Sequence, residues 1–413
     1  MKKWSEYAYF ILFDEYMRRY PIYLLMIIPL LVSCGGGDSI IPPFTMYTGI
    51  DVADLNADAK ADVVTSNIYV DSAPPHPGHI SVILQDQMQA GMFENGVDYP
   101  VGPDPWFVAA DDLNDDGRAD LMATSNLNGS LTILLQSSAE PGSFLPSAPL
   151  RVADHPRGVV SADINGDGLN DVLVTGSYLA MLLNTPGSPG TFVDGGTIAT
   201  NSFIDSVAAG DIDGDGRVDL VVDGPASDVL VFLQDPAPSL PGAFSNMAGY
   251  NAGERQHDVE LADLDGDNKL DIVVTLLGTS AADSASRVSV LIQDHDPLAR
   301  GQFLPATSYV TGNDSWDAAV GDLNHDNLPD LAVANSIGES VSILLQGSSP
   351  GVFLDAVSIL TNDTGLGAHA VAIGDLNEDG YNDIALADHY GAVLLYQNAQ
   401  TPGSFLAPEI IDR

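Results

Sequence analysis

Asp211-Ile212-Asp213-Gly214-Asp215-Gly216-Arg217-Val218-Asp219 decides the fold, because its pattern, Asp-x-Asx-x-Asp-x-x-x-Asp, occurs seven times in the 413-residue chain. The copies start at Asp54, Asp112, Asp163, Asp211, Asp263, Asp322 and Asp375, in steps of 48 to 59 residues. A repeat of that length suits one blade of a β-propeller, a unit that cannot bury its apolar faces alone and so stacks in a ring. Outward from the Asp211 loop, an apolar run from Ser206 to Gly210 precedes it and Leu220 to Val222 follows. A third strand is expected over Asp228 to Gln234, and a Pro/Gly turn leads to a fourth that opens at Phe244 and ends near Tyr250. The expected architecture is all-β: seven four-stranded antiparallel blades over residues 45–413, each with its Asp-rich loop between the first and second strands.

A second signature repeats with the first. A Gly stands two residues before a Phe in every unit: Gly91/Phe93, Gly142/Phe144, Gly190/Phe192, Gly242/Phe244, Gly301/Phe303, Gly351/Phe353 and Gly403/Phe405. Glycine supplies positive φ for a turn, and the ring is expected to be buried between neighbouring blades. Every blade is read as contiguous sequence, with Phe405 to Ile411 as the last fourth strand. The ring then closes by packing alone, unless residues near Ile40 to Thr45 add an edge strand.

The loop spacing places side-chain oxygens at positions 1, 3, 5 and 9, with a backbone carbonyl at position 7, which suits Ca²⁺. The expected ligands are Asp54, Asn56, Asp58 and Asp62 in the first loop (54–62), and Asp112, Asn114, Asp116 and Asp120 in the second (112–120). Asp163, Asn165, Asp167 and Asp171 serve the third (163–171), and Asp211, Asp213, Asp215 and Asp219 the fourth (211–219). Asp263, Asp265, Asp267 and Asp271 serve the fifth (263–271), Asp322, Asn324, Asp326 and Asp330 the sixth (322–330), and Asp375, Asn377, Asp379 and Asp383 the seventh (375–383). Position 6 must turn sharply; Ala59 there marks the first of up to seven sites as the weakest. The metal-free alternative is an Asx turn. Against it stands like-charge repulsion within seven crowded carboxylate clusters, so folding is expected to depend on calcium with affinities of roughly 10⁻⁴ to 10⁻³ M.

Composition points the same way. Fifty-seven Asp and Glu against 14 Lys and Arg give a formal net charge of −43, which argues against nucleic-acid partners and anionic membrane surfaces. With 45% hydrophobic residues the chain can still bury a core. The sole cysteine, Cys34, follows an apolar run from Ile22 to Val32, and Leu31-Val32-Ser33-Cys34 resembles a bacterial lipobox. Residues 1–33 are read as a lipoprotein signal peptide, with Met17 a possible true start, Cys34 as the lipidated residue and residues 34–44 as a flexible tether. An ordinary secretory signal with a chance cysteine is the alternative. Gly35 after the cysteine favours the outer membrane, so the expected location is the bacterial cell envelope, with the lipid as the only membrane contact.

Val108-Ala109-Ala110-Asp111-Asp112-Leu113-Asn114-Asp115-Asp116-Gly117-Arg118-Ala119-Asp120-Leu121 and strands such as Val341-Ser342-Ile343-Leu344-Leu345-Gln346 resemble the FG-GAP (VCBS-type) repeats of integrin α-subunit propellers and bacterial surface proteins. The resemblance spans about residues 45 to 413. It implies a propeller and calcium loops; it does not carry integrin-type adhesion, since integrins bear the loop in only some blades and this chain has no counterpart of their insertion domain.

Six residues before each loop aspartate, where the first strands begin, stand Thr48, Trp106, Arg157, Asp205, His257, Trp316 and His369. A propeller topology gathers them at the channel mouth on the face opposite the calcium loops. Flat aromatic faces with a few directed polar groups suit a glycan or protein ligand; the plainer reading is a plug that packs the top of the channel. The loops Asn67 to Gly78, with His76, and Leu277 to Arg287 are longer than their counterparts and are expected on that face. The other histidines, His79, His155, His295, His325 and His389, are read as loop or strand-end residues. HExxH does not occur, and the one GxSxG match, Gly347 to Gly351, falls in the repeating Pro/Gly turn before Phe353 rather than between a strand and a helix. Two further readings stay beside the binding module: a polysaccharide-processing enzyme using Asp205, Arg157 and His257, and a scaffold docking to another envelope protein. Oligomeric state and ligand identity are not readable from the sequence.

Overall fold

The structure, a computed structural model, describes residues 44–411 apart from 71–77, 201, 236–241, 245, 279–285, 297, 362–366 and 389–390. The expected signal, Cys34, the tether up to residue 43, His76, His389 and the tips of both long loops lie outside these residues. Thr45–Tyr69 and Pro75–Arg413 form one compact unit, a seven-bladed β-propeller.

Seven sheets follow one another along the chain, each antiparallel with its strands in sequence order. The first blade runs Phe44–Ala53, Asp62–Val70, Gly78–Ile83 and Val97–Val101, and the last runs Ala368–Gly374, Asp383–Asp388, Gly391–Leu395 and Glu409–Ile410. Phe44 and Thr45 thus extend an innermost strand rather than adding an edge. In the second blade the outer position is split: Phe144–Pro146 and Leu150–Arg151 both pair with Ser130–Gln136. Pro146 and Pro149 bracket the break, since proline offers no N–H to a ladder.

The core lies between blades. Seven apolar clusters each unite residues of two neighbouring blades, and the seventh joins Tyr47, Ile50, Val63 and Ile83 of the first blade to Ala385, Ala387 and Leu394 of the last. The alternation of each inner strand is therefore shared between its two seams, as in the second blade, where Phe107 and Ala109 pack toward the third blade and Val108 and Ala110 toward the first. All seven repeat phenylalanines sit in the seam with the preceding blade. Three meet a tyrosine edge to face: Tyr99 on Phe144 at 5.7 Å, Tyr250 on Phe303 at 5.2 Å and Tyr309 on Phe353 at 5.6 Å. The glycine two residues earlier has positive φ in all seven blades, and at Gly91, Gly142 and Gly190 a Cβ would come within 3.2 or 3.3 Å of Cβ of Asn377, Asn56 and Asn114, position 3 of the preceding loop. Glycine is thus needed twice there, for its backbone and for its lack of bulk.

A clasp reinforces the seams. The third strand runs out at Gln85, Gln136, Asn184, Gln234, Gln293, Gln346 or Gln397. Across five seams this amide donates to the position-2 carbonyl of the preceding loop: Gln85 to Leu376, Asn184 to Leu113, Gln234 to Ile164, Gln293 to Ile212 and Gln346 to Leu264, at 2.7 to 2.9 Å. The first-to-last seam uses the same bond, with a second from Tyr396 Oη to Gly91 O at 2.8 Å.

Candidate functional site

Each Asp-rich loop is held by its own side chains. The position-1 carboxylate accepts the N–H groups of positions 5 and 6, and the position-5 carboxylate accepts that of position 7; in the fourth loop these are Asp215, Gly216 and Arg217 at 2.9 to 3.0 Å. Position 6 has positive φ throughout, including Ala59 at 67° and Asn268 at 65°. Position 4 does too, from Ala57 to Glu378, a second left-handed turn that the sequence reading did not single out. Position 9 is deeply buried, and one of its oxygens accepts the N–H of position 2 and the other that of the clasp residue; in the fourth loop Asp219 Oδ2 also accepts Asp213 N at 3.2 Å. For Asp271 these come from Leu264 at 2.9 Å and Gln293 at 2.7 Å. Burial pushes Asp62, Asp271 and Asp383 up to about 7 and Asp120, Asp171 and Asp330 to about 6, with repulsion from the other loop carboxylates adding to it.

These loops fit a hard dication. In the fourth, one oxygen each of Asp211, Asp213 and Asp219 lie within 4.8 Å of one another, as do those of Asp263, Asp265 and Asp271 in the fifth. Asp58 Oδ2, Asn114 Oδ1 and Asp213 Oδ1 are buried oxygens without a hydrogen-bond partner, which an Asx turn alone leaves unmatched. His295 is tied to the fifth loop, with Nδ1 2.9 Å from Asp267 and Nε2 3.3 Å from Asp265.

At the other end of the first strands, roughly 20 Å away for six residues of extended chain, the mouth residues converge. Trp106 stacks on Trp316 at 6.1 Å, and Trp316 meets His257 at 4.5 Å and His369 at 4.7 Å. The Arg157 guanidinium lies 4.4 Å from the Trp106 ring and 5.2 Å from that of Phe203, and pairs with Asp205 at 2.5 Å. His257 Nδ1 is 2.8 Å from Trp316 O, Trp316 Nε1 donates to Asp314 at 2.9 Å, and Thr48 Oγ1 donates to Pro105 O at 2.9 Å. Arg157, Asp205, His257, Trp316 and His369 are buried, whereas Trp106, Phe203 and Thr48 are half-buried. What remains between them is a cavity of about 30 Å³.

FG-GAP-like repeats match residues 112–174, 163–222, 263–333 and 322–386. The chain belongs to the FG-GAP-like repeat family. No curated protein matches it. Among solved structures, this FG-GAP protein resembles an Agrocybe aegerita lectin that recognises non-reducing terminal N-acetylglucosamine, with 16% identity, a TM-score of 0.52 and coverage of 88% of this chain and 93% of that one. It also resembles a Lactobacillus plantarum protein (14%, TM-score 0.51, 78% and 86% covered) and a functionally unknown protein from Desulfotomaculum acetoxidans (13%, 0.52, 81% and 96%). Identities this low speak for the fold alone.

Below the FG-GAP protein's mouth, the channel holds acids that strand alternation hides. Bulges between Pro105 and Val108, Gln256 and Val259, Ser315 and Asp317, and Ala368 and Ala370 let two successive residues face the channel, so Asp258 and Asp317 join His257 and Trp316 in lining the mouth. Asp258 accepts Ser206 Oγ at 2.8 Å and Ala318 N at 3.2 Å, and it is hydrogen-bonded to Asp317. Glu260 lines a deeper cavity of about 180 Å³. Burial raises Asp258 and holds Asp317 and Glu260 well above the carboxylate range, with repulsion from neighbouring acids adding to the latter two, and puts Asp51 at about 6.

Proposed function

We propose that this propeller is a calcium-stabilised, non-catalytic binding or adhesion module, held at the bacterial cell envelope by lipid on Cys34, which recognises a glycan or protein ligand on the face opposite its loops. The observation that carries this is the convergence at one mouth of stacked Trp106 and Trp316 with Arg157, Asp205, His257 and His369. Half-buried Trp106 and Phe203 flanking Arg157 supply the flat faces such a ligand needs. The lectin neighbour is consistent with this fold serving recognition.

Calcium would be held by positions 1, 3, 5 and 9 of each loop. In each loop at least one position-9 oxygen accepts a single N–H and keeps a second lone pair for the ion. The dication would supply charge neutralisation where buried carboxylates crowd. It would act as a structural tie, roughly 20 Å from the mouth. A glycan and peptide array combined with a turnover assay on the hits tests the reading: saturable binding without turnover is expected, and conversion of a hit would favour an enzyme. Adding EGTA should lower the thermal midpoint markedly; an unchanged midpoint would remove calcium from the proposal.

A further inference from the structure

We propose that the channel mouth receives a primary ammonium group, a lysine side chain or chain-terminal amine of a protein partner, with His257 Nε2 as acceptor and the Trp106–Trp316 stack as wall. This rests on the binding reading above and narrows its ligand class.

The argument begins at one atom. His257 Nδ1 lies 2.8 Å from Trp316 O, and a carbonyl only accepts, so Nδ1 carries a proton; burial lowers the pKa of the ring and keeps it neutral, which leaves the lone pair on Nε2. That Nε2 is buried without a hydrogen-bond partner, in a residue 9% exposed. Buried acceptors are rarely left unmatched. A ligand donor is therefore wanted at the cavity that His257 lines.

Size and charge select the donor. About 30 Å³ suits a compact ammonium head better than a guanidinium or a sugar ring. The walls include Asp258 and Asp317, bonded to each other, and Asp205, paired with Arg157. Buried carboxyls gain from a nearby cation; the Trp106 face already carries Arg157, so the indoles serve as the wall of the cavity and the carboxyls as the source of charge. A metal ion fits less well. No three carboxylate or imidazole atoms converge within 4.8 Å here, whereas they do in loops four and five, among the described residues. An ammonium brings three donors of its own and tolerates acceptors spread more widely. Half-buried Trp106 and Thr48 form the rim by which it enters.

Titration of the full-length protein with n-butylammonium, n-butylguanidinium and 1-butanol tests this, read by tryptophan fluorescence and by the ¹⁵N shift of His257 Nε2. A saturable change with butylammonium is expected, with responses to the other two at least about tenfold weaker, and His257→Phe should weaken butylammonium binding about tenfold. Equal responses to the three probes, no shift at Nε2, or full binding by His257→Phe would overturn the inference. The shift requires no variant, so misfolding of His257→Phe leaves the test intact. An array ligand whose binding butylammonium does not compete would sink this inference while the binding module stands. Butylammonium binding with a blank array would do the reverse.

Discussion

Replacing Gln346 by Met tests whether the seam clasps matter to the ring. Gln346 is buried, and its Nε2 donates to Leu264 O of the neighbouring loop and to Pro329 O of its own loop, both at 2.9 Å, while its Oε1 accepts Gly351 N at 3.2 Å. Methionine has similar length and volume, so the cavity contribution is small and the polar loss dominates. Leu264 O and Gly351 N keep a bond to each other at 3.2 Å, so Pro329 O bears most of the desolvation penalty. With one buried carbonyl left unmatched and two partners still bonded, the loss is roughly 1–3 kcal/mol. Guanidinium unfolding should show a lower midpoint at unchanged slope. Hydrogen exchange should localise the loosening to the Gly351 amide and its neighbours across the seam. A loss under about 0.5 kcal/mol, or exchange that accelerates evenly around the ring, would refute the clasp as a determinant of blade docking.

Two further outcomes follow from the mouth and the channel. Trp316→Ala should cost roughly 3–5 kcal/mol, because the ring is buried among three aromatic neighbours and its N–H is bonded to Asp314; Trp106→Ala, at a half-buried position, should cost clearly less in the same denaturation assay. Asp51, raised to about 6 by burial, binds its proton more tightly folded than unfolded. Its contribution to stability is therefore fully present below about pH 4 and is lost as pH rises towards 6. In calorimetry across that window, Asp51→Asn should fall less steeply with pH than the parent chain; parallel slopes would refute the assignment.

The features that repeat were legible in the chain. The Asp-rich loops, the Gly-x-Phe turn and the mouth position six residues upstream recur in all seven units, so each copy corrects the reading of the others. The clasp was equally available: every third strand runs out in Gln or Asn, but without the ring there was no preceding loop for that amide to reach. Asp258 and Asp317 stayed hidden because a β-bulge changes which residues share a face, and a period of two assigns them to the other side of the strand. Phe203, whose ring flanks Arg157, comes from a turn before its strand, where no periodicity applies. The double commitment of position 9 to two backbone N–H groups was not visible either, since metal ligation and capping select the same residue.

The seam between the last and first blades is built like its neighbours, with Gln85 reaching Leu376 as Gln346 reaches Leu264, and among the described residues no strand crosses it to lock the circle. Covalent continuity is thus incidental to how neighbouring blades recognise one another. A circular permutant reopened at any blade boundary should assemble the same ring, and an added or deleted repeat meets a surface that already accepts it, so that the limit on blade number is set by curvature at the channel rather than by a dedicated pair of ends.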